Sequence, residues 1–291
     1  MKIDALCEAI NKTRCPVCAG LDTDYSYLPN AYRSAAATPD NKDIARSIFR
    51  FNCDIIEAVA DIVPAVKVQA AYYEQYGAEG FKCFLDTMEY AKKANLLVIA
   101  DVKRNDIGAT AAAYAKAYIE KSEADFLTVN AYLGADGVNP FIDSCRQTGK
   151  GIFILVKTSN QSGVEFQDMD AGGKKLYEAV ADKVSLWGGG YMGRFGYSGV
   201  GAVVGATYAA QARELRLRMP NTFFLVPGYG AQGAGARDIA VNFDDRGLGA
   251  VVNNSRGILL AYKKEPYAHL SAPRAARAAA LAMKQDILSA L

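Results

Sequence analysis

Short apolar runs alternate with longer amphipathic stretches along the whole chain. The runs occupy residues 15–21, 65–69, 96–101, 126–130, 151–157, 199–205, 222–227 and 249–254. Each is strand-length and rich in Val, Ile, Leu and Phe, as strands buried on both faces are. Helical periodicity fills the intervals, for example over 44–62, 77–94, 109–121 and 208–219. Strands alternating with helices predict parallel pairing. Eight such units in 291 residues predict an α/β chain folded as one (β/α)8 barrel over residues 1–291. The stretches 30–41 and 185–199 read as loop excursions from that domain.

Composition narrows the function. Hydrophobic residues make up 51% of the chain, enough for a large core, and the formal net charge is only +2. Lys and Arg are scattered, so neither a nucleic acid nor a membrane is expected as partner. No apolar run reaches a membrane-spanning length, and the N-terminal stretch reads as an amphipathic helix without the apolar centre of a signal peptide. A cytoplasmic protein is the expectation. The cysteines, Cys7, Cys15, Cys18, Cys53, Cys83 and Cys145, are dispersed. "CPVC" has the look of a redox pair, but its odd spacing within a strand points the two thiols to opposite faces. With no second Cys pair and a lone His269, neither a metal site nor a His-based triad is expected. Acid–base work falls to Asp, Glu, Lys and Tyr.

In barrels of this kind the active site lies at the C-terminal ends of the strands. The polar residues that close the apolar runs are Asp22, Lys67, Asp101, Lys103, Asn130, Thr158, Ser159, the loop "GYGAQG" (228–233) and Arg256. Asp and Lys dominate. Lys67 sits inside an otherwise apolar run, where a charge needs a partner. Asp101 and Lys103, two residues apart, share one face of their strand. An alternating network of Lys67, Asp101, Lys103 and Asp106 would satisfy all four charges. A purely structural ion-pair network is the competing reading, but apolar replacements often stabilise as well as a buried network does, and this one lies at the functional end.

These motifs carry a resemblance. "DVKRNDIGAT" (101–110) resembles the D-x-K-x-x-D-I-x-x-T signature of orotidine 5′-phosphate decarboxylases. With "GLD" at Asp22, "VKVQ" at Lys67, "VKTSN" (156–160), "VPGYGAQG" (226–233) and "NNSRGI" (253–258), the motifs stand in that family's order, and "VKTSNQSG" and "VPGYGAQG" look like its longer-chain subgroup. The resemblance implies decarboxylation of orotidine 5′-monophosphate to uridine 5′-monophosphate without metal or organic cofactor. It implies that Lys103 stabilises and protonates the carbanion at C6, that Asp101 lies near the departing carboxylate, and that Lys67 and Asp106 orient Lys103. It further implies that Asp106, Ile107 and Thr110 reach the site of a partner subunit in a homodimer. Asp22 would contact the ribose, Ser159 the pyrimidine edge, and Gln232 both phosphate and pyrimidine.

"GYGAQG" also matches G-x-G-x-x-G, the dinucleotide fingerprint, but it follows the seventh run rather than the first. Loops after the last two strands of a barrel commonly bind phosphate. Glycines such as Gly230 and Gly233 let the backbone approach an anion, and Arg256 can clamp it. The Gly-rich stretch 188–199 precedes a strand and belongs to the opposite, structural end. Lys157 receives no role, and the tyrosines of "YAKAYIEK" (114–121) read as packing. Two rival functions stay open: a metal-dependent sugar-phosphate decarboxylase or aldolase, and a catalytically silent nucleotide-binding protein.

Overall fold

The computed structural model describes residues 1–230 and 235–291. Eight parallel strands close a barrel in sequence order, β8 pairing with β1. They are β1 (Val17–Leu21), β2 (Ala65–Gln69), β3 (Leu97–Arg104) and β4 (Phe126–Val129). β5 (Gly151–Lys157), β6 (Val200–Val204), β7 (Phe224–Pro227) and β8 (Ala250–Asn254) complete it. The expected barrel is therefore present, and every apolar run of the sequence supplies one strand.

The helices in the first half are α1 (Lys2–Thr13), α2 (Asn41–Val59), α3 (Ala71–Glu74), α4 (Gly77–Lys93), α5 (Gly108–Ala115) and α6 (Ala135–Thr148). Those in the second half are α7 (Val164–Gln167), α8 (Leu176–Gly188), α9 (Ala209–Arg218), α10 (Ala236–Ala240), α11 (Arg256–Leu259) and α12 (Ala272–Ala290).

Strand alternation sorts the core into two parts. Outward residues such as Ala19, Val66, Val98, Ile154 and Val252 pack against the helices. Inward residues, among them Cys18, Ala65, Ile99, Phe126, Phe153, Leu225 and Val251, fill the barrel. Leu6, Cys7 and Ile10 of α1 join the inner group. α1 closes the N-terminal end of the barrel, where Lys2 N–H donates to Gly149 O just ahead of β5. The Gly-rich stretch before β6 clasps the same helix: Phe195 N–H donates to Asp4, and any side chain at Gly193 would collide with the Asp4 carboxylate. The expectation that this stretch serves the structural end agrees with that placement.

Cys15 packs outside the barrel and Cys18 inside it, as the odd spacing predicts. Burial pushes the Cys15 thiol up to about 11, and drives that of Cys18 higher still. All six cysteines are free. Among the described residues no cluster of His, Cys, Asp and Glu is arranged to hold a metal ion, and no helix is long and apolar enough to cross a membrane.

Candidate active site

The C-terminal ends of the strands surround a cavity of about 400 Å3. β1 to β3 contribute Asp22, Lys67, Gln69, Asp101 and Lys103; β4 contributes Thr128; the opposite wall includes Ser159, Leu225 and Asn253. The centre is the Asp101 carboxylate, 5% exposed. Its Oδ2 accepts from Lys67 Nζ at 2.8 Å and Gln69 Nε2 at 2.9 Å. Its Oδ1 accepts from Lys103 Nζ at 2.5 Å and Thr128 Oγ1 at 2.9 Å. Lys67 also donates to Asp22 Oδ1 at 3.1 Å. The charges alternate along the chain of contacts, Asp22, Lys67, Asp101, Lys103.

Electrostatics follow from this packing. Burial opposes charge on Asp101, but the ammoniums of Lys67 and Lys103 outweigh it and hold the carboxyl well below the usual range. Burial likewise opposes charge on Lys67, and Asp101 and Asp22 outweigh it, pushing the ammonium above its ordinary value. Both groups stay ionised in the interior because each is paired and hydrogen-bonded.

The network differs from the sequence expectation at one position. Within this chain the fourth charge is Asp22, at the Lys67 end, and not Asp106. Asp106 lies beyond the strand, and its Oδ1 accepts from Ile107 N–H at 2.8 Å. Ile107, 56% exposed, and Thr110, also exposed, stand on the same outer loop and start of α5, away from their own cavity.

β3 is longer than its apolar run because Val102, Lys103 and Arg104 continue it. The ladder to β4 shifts register between Ala100 and Arg104. Lys103 takes φ +46°, a left-handed conformation that costs a non-glycine residue roughly 1–2 kcal/mol. Such residues concentrate at functional sites. Arg104 leaves the strand outward, pairing with Glu74 and lying over the rings of Tyr114 and Tyr118. The tyrosines of "YAKAYIEK" thus pack, as expected.

The remaining expected residues fall around the rim. Ser159 lines the cavity, and the close approach of its backbone requires Gly205, where a Cβ would lie 2.8 Å from Ser159 N. Gly20 is required in the same way by Ser255, whose Oγ a Cβ there would meet at 1.9 Å. Arg256 is exposed at the start of α11, directly after β8. Gly230 follows β7 with φ +69°. Gln232 and Gly233 lie outside the described residues. Asn130 closes the turn after β4 by accepting from Tyr132 N–H at 3.0 Å. Lys157 points away from the cavity into a buried pair with Asp168 at 2.6 Å, between the rings of Tyr177 and Tyr208.

Sequence reasoning missed Gln69, Thr128 and Asn253. Gln69 closes the same run as Lys67 and could have been collected with it. Thr128 is a lone polar residue at an inward position of an apolar strand. Asn253 holds a buried Oδ1 without a protein partner among the described residues, an acceptor open to a ligand.

Fold and site together define a (β/α)8-barrel enzyme with ammonium and carboxylate groups paired at the mouth of a parallel core. The chain belongs to the orotidine 5′-phosphate decarboxylase / HUMPS family, whose model matches residues 16–269. It is 43% identical to the orotidine 5′-phosphate decarboxylase of Clostridium novyi (strain NT) over 287 residues, 98% of either chain. The Clostridium acetobutylicum enzyme is 43% identical over 293 residues, covering both chains fully. Among solved structures, Leishmania donovani OMP decarboxylase superposes with a TM-score of 0.76 at 28% identity, covering 99% of this chain and 97% of that one. Leishmania donovani UMP synthase gives 0.78 at 30% identity; this chain, covered to 99%, spans 56% of it.

Proposed function

We propose that the protein, acting as one catalytic domain, converts orotidine 5′-monophosphate to uridine 5′-monophosphate and CO2, the closing step of UMP synthesis. The observation that carries the reading is the Asp101 carboxylate locked between the ammoniums of Lys67 and Lys103 on the cavity floor. Breaking the bond from C6 to its carboxylate leaves an electron pair on a carbon with little delocalisation. Lys103, the more exposed of the two ammoniums, stabilises that charge in place and then gives C6 its proton. Asp101 stands beside the departing carboxylate, and its repulsion is relieved as neutral CO2 leaves. Lys67 holds Asp101, and Asp22 holds Lys67 while its second oxygen accepts from a ribose hydroxyl. Ser159 reads the pyrimidine edge. Arg256, Gly230, Gln232 and Gly233 form the phosphate end. No step calls on a metal or organic cofactor.

The assembly in this reading is a homodimer in the cytoplasm. Asp106, Ile107 and Thr110 complete the partner's site. The support is their placement: three residues off their own cavity, on a rim that also exposes Tyr132 (81%) and Leu133 (45%). An apolar rim beside a functional cavity is the kind of surface that protein association covers.

The test is the fall of orotidine 5′-monophosphate absorbance, with uridine 5′-monophosphate recovered, when purified protein is added in excess chelator. Activity lost to chelator and restored by a divalent cation would favour the metal-dependent rival. Nucleotide binding without turnover would favour the silent one.

A further inference from the structure

We infer that Thr128 is a positioning residue for the reaction at Lys103; the inference rests on the decarboxylase reading of the site. Thr128 is 1% exposed and projects inward from β4 beneath the end of β3. Its Oγ1 accepts from Val102 N–H at 3.0 Å and from Lys103 N–H at 2.9 Å. The same oxygen donates to Asp101 Oδ1 at 2.9 Å. A hydroxyl has one proton and two lone pairs, so its capacity is fully used. The directions are also settled. Both amides can only donate, so the hydroxyl proton goes to Asp101.

This single side chain therefore governs both things that aim the Lys103 ammonium. The first is the backbone. Successive N–H groups converge on one oxygen where a residue adopts positive φ, and Lys103 stands at φ +46° where the β3–β4 ladder loses register. Without the hydroxyl, both amides would lose this acceptor, the buried one of Val102 and the part-buried one of Lys103. The second is the counter-ion. Asp101 Oδ1, which Thr128 holds, is the oxygen that accepts from Lys103 Nζ. Thr128 thus ties the origin of the lysine side chain and its far end to one point.

Three variants separate the hydroxyl from the bulk around it. Thr128→Val keeps the shape and removes the hydroxyl; Thr128→Ala removes hydroxyl and methyl; Thr128→Ser keeps only the hydroxyl. Orotidine 5′-monophosphate turnover by the wild type is measured first, and its absence would sink the activity itself, not the role of Thr128. On an active wild type, Thr128→Val and Thr128→Ala are expected to lower kcat by about 100-fold, the scale of a 1 Å misplacement of a reacting group. Binding of uridine 5′-monophosphate should stay within about threefold, because the phosphate and ribose contacts are elsewhere. Thr128→Ser should restore kcat to within about fivefold of the wild type, since the three hydrogen bonds survive. The assignment is overturned if folded Thr128→Val turns over at the wild-type kcat, or if Thr128→Ser loses as much as Thr128→Val. It is equally overturned if neither hydroxyl-free variant folds, since the hydroxyl would then serve the fold.

Discussion

Lys103 combines two properties that rarely occur together. It carries the charge nearest the reacting carbon in the proposed chemistry, and it does so from a backbone conformation that disfavours any side chain. Lys103→Ala should remove nearly all turnover while uridine 5′-monophosphate still binds. Losing a general acid and a preorganised charge together should exceed the roughly 100-fold typical of either alone. A single-turnover rate within tenfold of the wild type would remove Lys103 from its role. Asp101 gives a prediction of a different kind. Its carboxyl is held below the usual range in the folded state, so the unfolded chain binds more protons in the window between the two values. The stability it confers is present above an ordinary carboxyl pKa of about 3.9 and is lost as pH falls through the folded value. Denaturant midpoints measured from pH ~5 down to pH ~2 should fall less steeply in Asp101→Asn than in the wild type. Parallel slopes would mean that the pairing confers no such stability.

At the scale of elements, most of the barrel was legible. Ala65–Gln69 and Gly151–Lys157 match their runs residue for residue, because each strand is buried along almost its whole length and its run ends on a polar residue, Gln69 or Lys157. The misses have physical causes. β3 outruns its apolar stretch because it continues past Asp101 through Val102 to the charged Lys103 and Arg104, one in the cavity and one outside the barrel, which hydrophobic patterning cannot register. The segment expected as one helix over 109–121 divides into α5 and a π-helical turn, Lys116–Glu120, next to the tyrosines that flank Arg104. α8 carries the chain to Gly188, four residues into the expected loop. α12 lies beyond the helical stretches named from the sequence, although its Ala272, Ala276, Ala280, Met283 and Ile287 lie at helical spacing on a buried face. In the site, strand ends identified Lys67, Asp101, Lys103 and Ser159 as cavity-lining. Whether Asp22 or Asp106 joins the network depends on reach across the barrel, and spacing along the chain does not encode that distance.

The whole molecule raises the question of shared sites. If Asp106 serves a neighbouring subunit, inactive Lys103→Ala mixed with inactive Asp106→Ala should recover activity. In a mixed dimer one site carries both lesions and the other neither. Random exchange at equal amounts makes about half the dimers mixed, each with one intact site, so about a quarter of wild-type activity should return. Exchange would be driven by mild denaturation and dimers verified by sedimentation. Mixed dimers no more active than their parents would confine Asp106 to its own chain. The balance of charge on the cavity floor has a consequence for ionic strength. Asp22 and Asp101 cancel Lys67 and Lys103, so a polyanionic substrate drifting in from solution meets no net pull from the floor. Arg256 on the water-facing rim adds a long-range attraction that the floor lacks. Dissolved ions shield such a charge beyond about 8–10 Å but hardly touch ion pairs sealed in the interior. Raising salt should therefore depress kcat/KM through capture of the substrate. Arg256→Ala should lower kcat/KM by about 2–5 kcal/mol of transition-state stabilisation and flatten its dependence on salt. A salt slope identical in wild type and Arg256→Ala would place the phosphate elsewhere. Otherwise, added electrolyte separates arrival at the rim from bond-breaking at the floor, in one protein and without further mutation.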